Sequence, residues 1–347
     1  MGKVEQAILG LLEGNVEIYQ SDLVRQSGFS RSRVSEVLAS LETSGLISRV
    51  PLGKNFRVIL NRSAGSSKSF AKKNPRKKKI LSLGMIRASE YPFIISFENL
   101  LREKMGITLN CVIYDNGLRI SRDLAQFRLD LGIAPVLTHF VFYSTGSPIK
   151  MIAPAGSGGA SILVNNRRKH SKENFTIATT KLSTMELMLR SSMNDGDISR
   201  DSAVQYYSSP RMMMNSILSG KVDAACIWEP YSTKLLKKRC CKKIVRYAEE
   251  EHVCCALAAG NHLESDLQYR IAKTLTESIE VYRRNPENYI SSYSRFMRFD
   301  EKIMKVSSKE YAYPLELDHQ KLARQFEQAG VKIPIPSSVK DAVLPAN

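Results

Sequence analysis

Along the first 60 residues, apolar positions recur at helical spacing in three groups: Val4, Ala7, Ile8, Leu11 and Leu12; Leu23 and Val24; then Val34, Val37, Leu38 and Leu41. The pattern predicts three short helices. The second is expected from Ser21-Asp22 to Ser27-Gly28, where glycine supplies the left-handed residue that ends a helix, and Ser30 is placed to cap the third. Residues 46–50 and 55–60 then alternate as two strands around the turn at 51–54.

From Ile80 onward the period changes repeatedly, which predicts an α/β body. Strands are expected at 80–86, 109–114, 129–133, 149–153 and 160–164, with helices at 93–105 and 117–128 and a helix or turn at 138–144. A second cycle follows through 175–178, 183–192, 205–207, 211–219 and 224–227. A strand at 253–258, a long helix at 266–284 and polar helices complete the chain. The expected divisions are 1–62, a linker at 63–79, and a two-lobed body at 80–347 with an inserted lobe at about 165–250.

Charge changes this picture. The 347 residues carry 51 Lys and Arg against 34 Asp and Glu, a net +17, which favours polyanionic partners. The first 80 residues hold 15 basic and 6 acidic side chains, so +9 of the excess sits at the front. Its densest part is SAGSSKSFAKKNPRKKK (63–79), with seven basic residues and no acidic one between Lys68 and Lys79. This stretch reads either as a solvated connector or as a basic arm along phosphates. The N-terminus shows no signal-peptide pattern and no apolar run approaches the ~20 residues of a membrane helix, so a soluble, cytoplasmic protein without membrane contact is expected. Six cysteines lack C-x-x-C spacing and five histidines lack metal-ligand spacing. Free thiols and no metal site are expected.

Helix, helix, recognition helix and β-wing, with the phrase SRSRVSEVLASLETSGLISRV, resembles the winged helix-turn-helix of MarR-like regulators over about residues 3–62. The resemblance implies double-stranded DNA as partner, with a palindromic operator read by a homodimer. Ser30, Arg31, Ser32, Arg33 and Ser35 would meet bases and phosphates, while Lys54 and Arg57 would contact backbone from the wing. A winged helix used for protein contacts is the alternative.

Three further strings, DLGIAPVLTHFVFYSTGSPIKMIAPAGSGGASILV (130–164), SGKVDAACIWEPY (219–231) and YRRNPENY (282–289), resemble the solute-binding proteins of importers for nitrate, taurine, alkanesulfonates and thiamine-pyrimidine precursors. That resemblance, over about 80–330, implies a type II periplasmic-binding-protein-like fold with a small-molecule effector between its lobes. In such folds the ligand meets loops at the carboxyl ends of strands. The positions that fall there are Ser89 and Tyr91, Ala134 and Pro135, Gly158 and Gly159, Ser183 and Thr184, and Trp228 and Glu229. Ser183 reads equally as a helix cap, the glycines as a turn or hinge, and Trp228 as ligand wall or core.

The combination implies a ligand-responsive transcriptional regulator sensing a small polar or anionic metabolite. A thiamine-pyrimidine-synthase-like enzyme and a cytosolic solute-binding protein are the alternatives. The enzyme's cysteine-rich run has no counterpart, and no phosphate-binding glycine string is present, so no cofactor and no enzymatic activity are expected.

Overall fold

The first apolar stripes build a core of their own. In a computed structural model, which describes residues 3–14, 18–43, 46–52, 55–60, 79–167, 175–246, 252–332 and 337–344, the chain divides into two units, 1–75 and 76–347. The first contains α1 (Lys3–Gly14), β1 (Ile18–Tyr19), α2 (Gln20–Ser27), α3 (Arg31–Thr43), β2 (Ile47–Leu52) and β3 (Asn55–Leu60). Ile8 and Leu12, Leu23, and Val34, Leu38 and Leu41 are buried together with Ile18, Ile47 and Val58. The expected helical stripes are thus the faces that pack. Strand β1, unforeseen because two residues carry no period, pairs antiparallel with β3, giving the order β1-β3-β2. Gly28 adopts φ 72, and Ser30 Oγ accepts from the Arg33 amide at 3.4 Å, as a cap does.

Within SLETSGLISRV, two charged residues have a structural task. Glu42 accepts from the Arg49 amide at 3.0 Å, from Nε at 2.8 Å and from a terminal guanidinium nitrogen at 2.6 Å, and the ion pair holds its carboxyl below the usual range. This clamp ties the end of α3 to the hairpin.

The second unit begins with β4 (Lys79–Ile86), α4 (Ile94–Met105), β5 (Ile107–Tyr114), α5 (Gly117–Ala125), β6 (Leu131–Pro135), α6 (Val136–Ser144) and β7 (Ile149–Gly158). It continues through β8 (Ala160–Asn165), β9 (Thr176–Thr179), α7 (Thr184–Asn194), β10 (Ala203–Tyr206), α8 (Pro210–Leu218), β11 (Ala224–Trp228), α9 (Tyr231–Lys237) and β12 (Cys241–Arg246). The remainder is β13 (Val253–Gly260), α10 (Ser265–Arg284), α11 (Glu287–Met297), α12 (Glu301–Ser307), β14 (Tyr311–Ala312), α13 (His319–Gln328) and α14 (Ser337–Asp341). Two sheets result, in the orders β14-β7-β13-β6-β4-β5 and β10-β9-β11-β8-β12. Strands β4, β5 and β6 run parallel and β13 antiparallel to β6 and β7. The inner strands, such as VCCALAAG of β13, are buried along their whole length, which is why they read as continuous apolar runs without alternation.

Several boundaries differ from the sequence reading. Lys79, assigned to the linker, opens β4, while 61–78 lie outside the described residues. Strand β6 starts at Leu131 and extends through Pro135, because its backbone continues to pair with β13. Strand β7 runs through the expected loop to Gly158: Gly156 and Ser157 still pair with β13, and Ser157 and Gly158 pair with β14. The five-stranded sheet therefore opens at Ala160. Strand β12 escaped notice because CKKIVR carries three basic residues in six.

Candidate functional site

The chain leaves the six-stranded sheet at the end of β7 and enters the five-stranded sheet at β8 through the single residue Gly159. Between the two lobes lies a cavity of about 440 Å³, counting the space at its mouth open to solvent. Its walls come from the carboxyl ends of β4, β6, β9 and β11, from the starts of α5 and α7, and from the first half of β13. The lobes are joined across it by hydrogen bonds: Ser89 amide to the Glu229 carbonyl (3.2 Å), Trp228 Nε1 to the Arg87 carbonyl (3.3 Å), Thr184 Oγ1 to the Cys254 carbonyl (2.7 Å) and Asn116 Nδ2 to the Ser208 carbonyl (2.8 Å). Thr138 Oγ1 also donates to the Leu182 carbonyl.

Ser183 shows why the α7 end is shaped as it is. Its hydroxyl accepts from the Glu186 amide at 3.2 Å, and Glu186 Oε2 accepts from the Leu182 amide at 2.6 Å, a variant of the capping box in Ser183-Thr-Met-Glu186. Leu182 is held at φ 53, a left-handed conformation costing a non-glycine residue roughly 1–2 kcal/mol. The first amides of a helix have no partner within it and carry the positive end of its dipole. Thr184 and Met185, the first two residues of α7, line the cavity beside exposed Lys181. This end suits an oxyanion. Ile86, Pro135 and Trp228 give the wall its apolar part.

Five of the ten expected ligand positions line this cavity: Tyr91, Pro135, Ser183, Thr184 and Trp228. Trp228 has committed its N–H to the Arg87 carbonyl and stands edge-on to Tyr231 at 5.7 Å, so it offers ring surface only. Tyr91 is fully buried and its hydroxyl donates to Cys255 Sγ at 3.2 Å. The other five are not among the lining residues. Ser89 is buried and joins the lobes through its amide. Ala134 sits inside β6, and Gly158 ends β7. Gly159 is clasped: its amide donates to the Glu310 carbonyl at 2.8 Å and its carbonyl accepts from the Glu229 amide at 2.9 Å. Glu229 turns away to accept from the Thr233 amide at 3.0 Å, and burial raises its carboxyl.

Sequence spacing missed Glu90, Cys254 and Cys255, which line the cavity together although Glu90 lies on a segment far from the cysteines in the chain. Glu90 is 3% exposed, and burial pushes its carboxyl up to about 7 against the opposing pull of Tyr91 and the two thiols. Gly156 makes room for it, since a Cβ there would stand 2.3 Å from Glu90 Oε1.

His139 on α6 is buried with Nδ1 3.0 Å from Ser121 Oγ, and burial pushes it down to about 4. Below its unfolded value of ~6.5 the unfolded chain takes up a proton that the folded chain refuses, so stability present above pH 6.5 is lost as pH falls toward 4. Glu90 acts in the opposite sense between 4.5 and about 7. The wild-type profile is therefore flattened. Relative to wild type, His139→Gln should gain about 2 kcal/mol at pH 5 compared with pH 7. Urea unfolding followed by fluorescence of Trp228, the single tryptophan, measures this; parallel profiles would refute the assignment.

In the first unit, Ser30, Arg31, Ser32 and Arg33 are exposed and Ser35 is half-buried. Arg33 pairs with Glu36 at 3.0 Å, and the Ser30 and Ser32 hydroxyls lie 3.2 Å apart. Arg57 is placed in β3 opposite Tyr19 and Val50, and Lys54 lies outside the described residues. Among the described residues, no helix is long and apolar enough to cross a membrane.

Comparison with solved structures gives the same two-lobed fold. The alkanesulfonate-binding protein SsuA from Xanthomonas axonopodis pv. citri, bound to MOPS, matches 78% of this chain and 99% of its own at 17% identity and TM-score 0.63. The periplasmic nitrate-binding protein NrtA from Synechocystis PCC 6803 matches 78% and 86% at 10% identity and TM-score 0.62. A ligand-binding component of an ABC-type import system from Staphylococcus aureus, solved with zinc, matches 77% and 100% at 15% identity and TM-score 0.64. No curated protein sequence matches. Residues 3–61 match a domain of unknown function, DUF7343, and residues 73–277 match the NMT1-like profile. Matched by that profile over more than half its length, the chain belongs to the NMT1-like family, and its second unit has the fold of solute-binding proteins.

Proposed function

We propose that the chain is a cytoplasmic ligand-responsive transcriptional regulator: the first unit is a winged helix-turn-helix that reads a palindromic operator as a homodimer, and the two-lobed unit senses a small anionic metabolite. The observation that carries this reading is the union in one chain of a solute-binding fold and a separate unit whose α3 presents Arg31, Ser32 and Arg33 from its first turn, with its cap Ser30, to solvent. Such a turn is what a recognition helix offers to the major groove. The effector's oxyanion would meet the amides of Thr184 and Met185 with Lys181, and its apolar or planar part the wall of Pro135 and Trp228.

A thermal melt followed by Trp228 fluorescence tests the sensor. An alkanesulfonate, nitrate and a thiamine-pyrimidine precursor serve as probes, the first two being of the kind named for the structural relatives. One of these at 100 times its Kd should stabilise the fold by about 2.7 kcal/mol, and Lys181→Ala should weaken it at least tenfold. Equal shifts in wild type and variant, or none with any probe, would rule out the anion site.

A further inference from the structure

Cys254 and Cys255 are neighbours in a strand, where successive side chains ordinarily point to opposite faces. Here both line the same cavity, with their sulfurs 3.5 Å apart. The backbone explains it. The register of β13 against β7 shifts between Val253 and Cys255 and again between Cys255 and Ala256. Such a bulge re-aims side chains and is common beside functional sites.

Opposite the two thiols stands Glu90. One ligand atom from each of the three residues lies within 4.8 Å of the other two, and all three side chains are at least nine-tenths buried. Glu90 Oε1 has no hydrogen-bond partner among the described residues. A buried carboxylate oxygen without a partner is costly and calls for one. The sulfur separation is close to the edge, about 3.8 Å, of a tetrahedron with Zn–S bonds of about 2.3 Å. Two sulfurs and one carboxylate match a thiophilic divalent ion and mismatch magnesium or calcium.

We propose that Glu90, Cys254 and Cys255 form a three-ligand site for a zinc-type cation, with the fourth coordination position facing the cavity. On coordination each thiol, and Glu90 where it is protonated, loses its proton to solvent and each ligand atom donates an electron pair to the ion, so one metal displaces two thiol protons together with any proton Glu90 carries. Tyr91, donating to Cys255 Sγ, orients that ligand from outside the shell. The site deepens the reading of the cavity as a solute site, yet metal binding needs no solute, so either can fail alone.

The test uses the full chain, reduced and freed of metal, titrated with zinc alone by calorimetry and with cobalt(II) alone by absorbance. One zinc per chain is expected, with a sulfur-to-cobalt charge-transfer band and the visible bands of tetrahedral cobalt. Cys254→Ser/Cys255→Ser should abolish the charge-transfer band, while Glu90→Gln should keep it and weaken zinc at least tenfold. Should the double variant fail to fold, Glu90→Gln alone decides. The other adjacent pair, Cys240 and Cys241, has sulfurs 3.6 Å apart. Cys240→Ser/Cys241→Ser should leave everything unchanged. No stoichiometric zinc, a cobalt spectrum without charge transfer, or loss confined to the Cys240/Cys241 variant would overturn the site.

Discussion

Gly159→Ala should destabilise the two-lobed unit by about 2–5 kcal/mol, although it adds one methyl group. Gly159 has φ 67, where L side chains are disfavoured, and its added Cβ would fall 1.9 Å from Cε1 of Tyr311. The left-handed conformation costs roughly 1–2 kcal/mol and overpacking about 1–3 more. The ring has little freedom to yield. Tyr311 is 7% exposed, its hydroxyl donates to the Glu229 carbonyl at 3.2 Å, and β14 is anchored to β7. The Glu310 carbonyl also receives the Gly159 amide. The crossing between sheets is thus clasped from the C-terminal segment, and the substitution strikes where the lobes are joined. In Gly159→Ala/Tyr311→Ala the ring is gone and only the backbone cost of the alanine remains. The double variant should therefore lose less than the sum of the singles by more than 1 kcal/mol. Urea unfolding followed by Trp228 fluorescence reads both values. A single variant within 1 kcal/mol of wild type would show that Tyr311 does not constrain the crossing.

Where periodicity is strong the chain is legible. Stripes such as Val34, Leu38 and Leu41 became the buried face of α3, and the apolar runs became central strands. Half of the expected ligand positions reached the cavity too, because the ends of strands are where such folds place ligands. Of the Trp-Glu-Pro string only Trp228 lines the cavity, while the Glu229 carboxylate accepts from the Thr233 amide in the first turn of α9. The grouping of Glu90 with Cys254 and Cys255 was beyond reach. Adjacent cysteines in a strand predict opposite faces, and only the bulge in β13 turns both inward toward a residue far away in the chain. The glycines at 156–159 read as a turn or hinge because their composition carries no trace of the β13 and β14 backbones that pair with this stretch.

On the proposed DNA-reading role of the first unit, Arg31→Glu/Arg33→Glu should weaken operator binding strongly while leaving the fold intact. Both side chains leave the exposed first turn of α3, whose buried side is held by Val34 and Leu38. Breaking the solvent-exposed Arg33–Glu36 pair costs little. At each position a guanidinium that can bond a base or a phosphate gives way to a carboxylate that phosphates repel, which should weaken binding roughly 100-fold or more. Each phosphate no longer neutralised should also flatten the dependence of log affinity on log salt by about 0.9. Full-strength binding by this variant would assign the surface of α3 to another partner.

Coupling between the two units is read by a fluorescence-anisotropy titration of the full chain against a labelled duplex from its own upstream region, with and without the probe that gives the largest thermal shift. Under the proposed function the chain should bind saturably, with a log affinity that falls linearly with log salt and an affinity that changes about 5- to 150-fold when the cavity is filled, as a coupling of 1–3 kcal/mol requires. Binding that ignores salt, or an affinity that is the same with the cavity filled and empty, would contradict a ligand-responsive regulator.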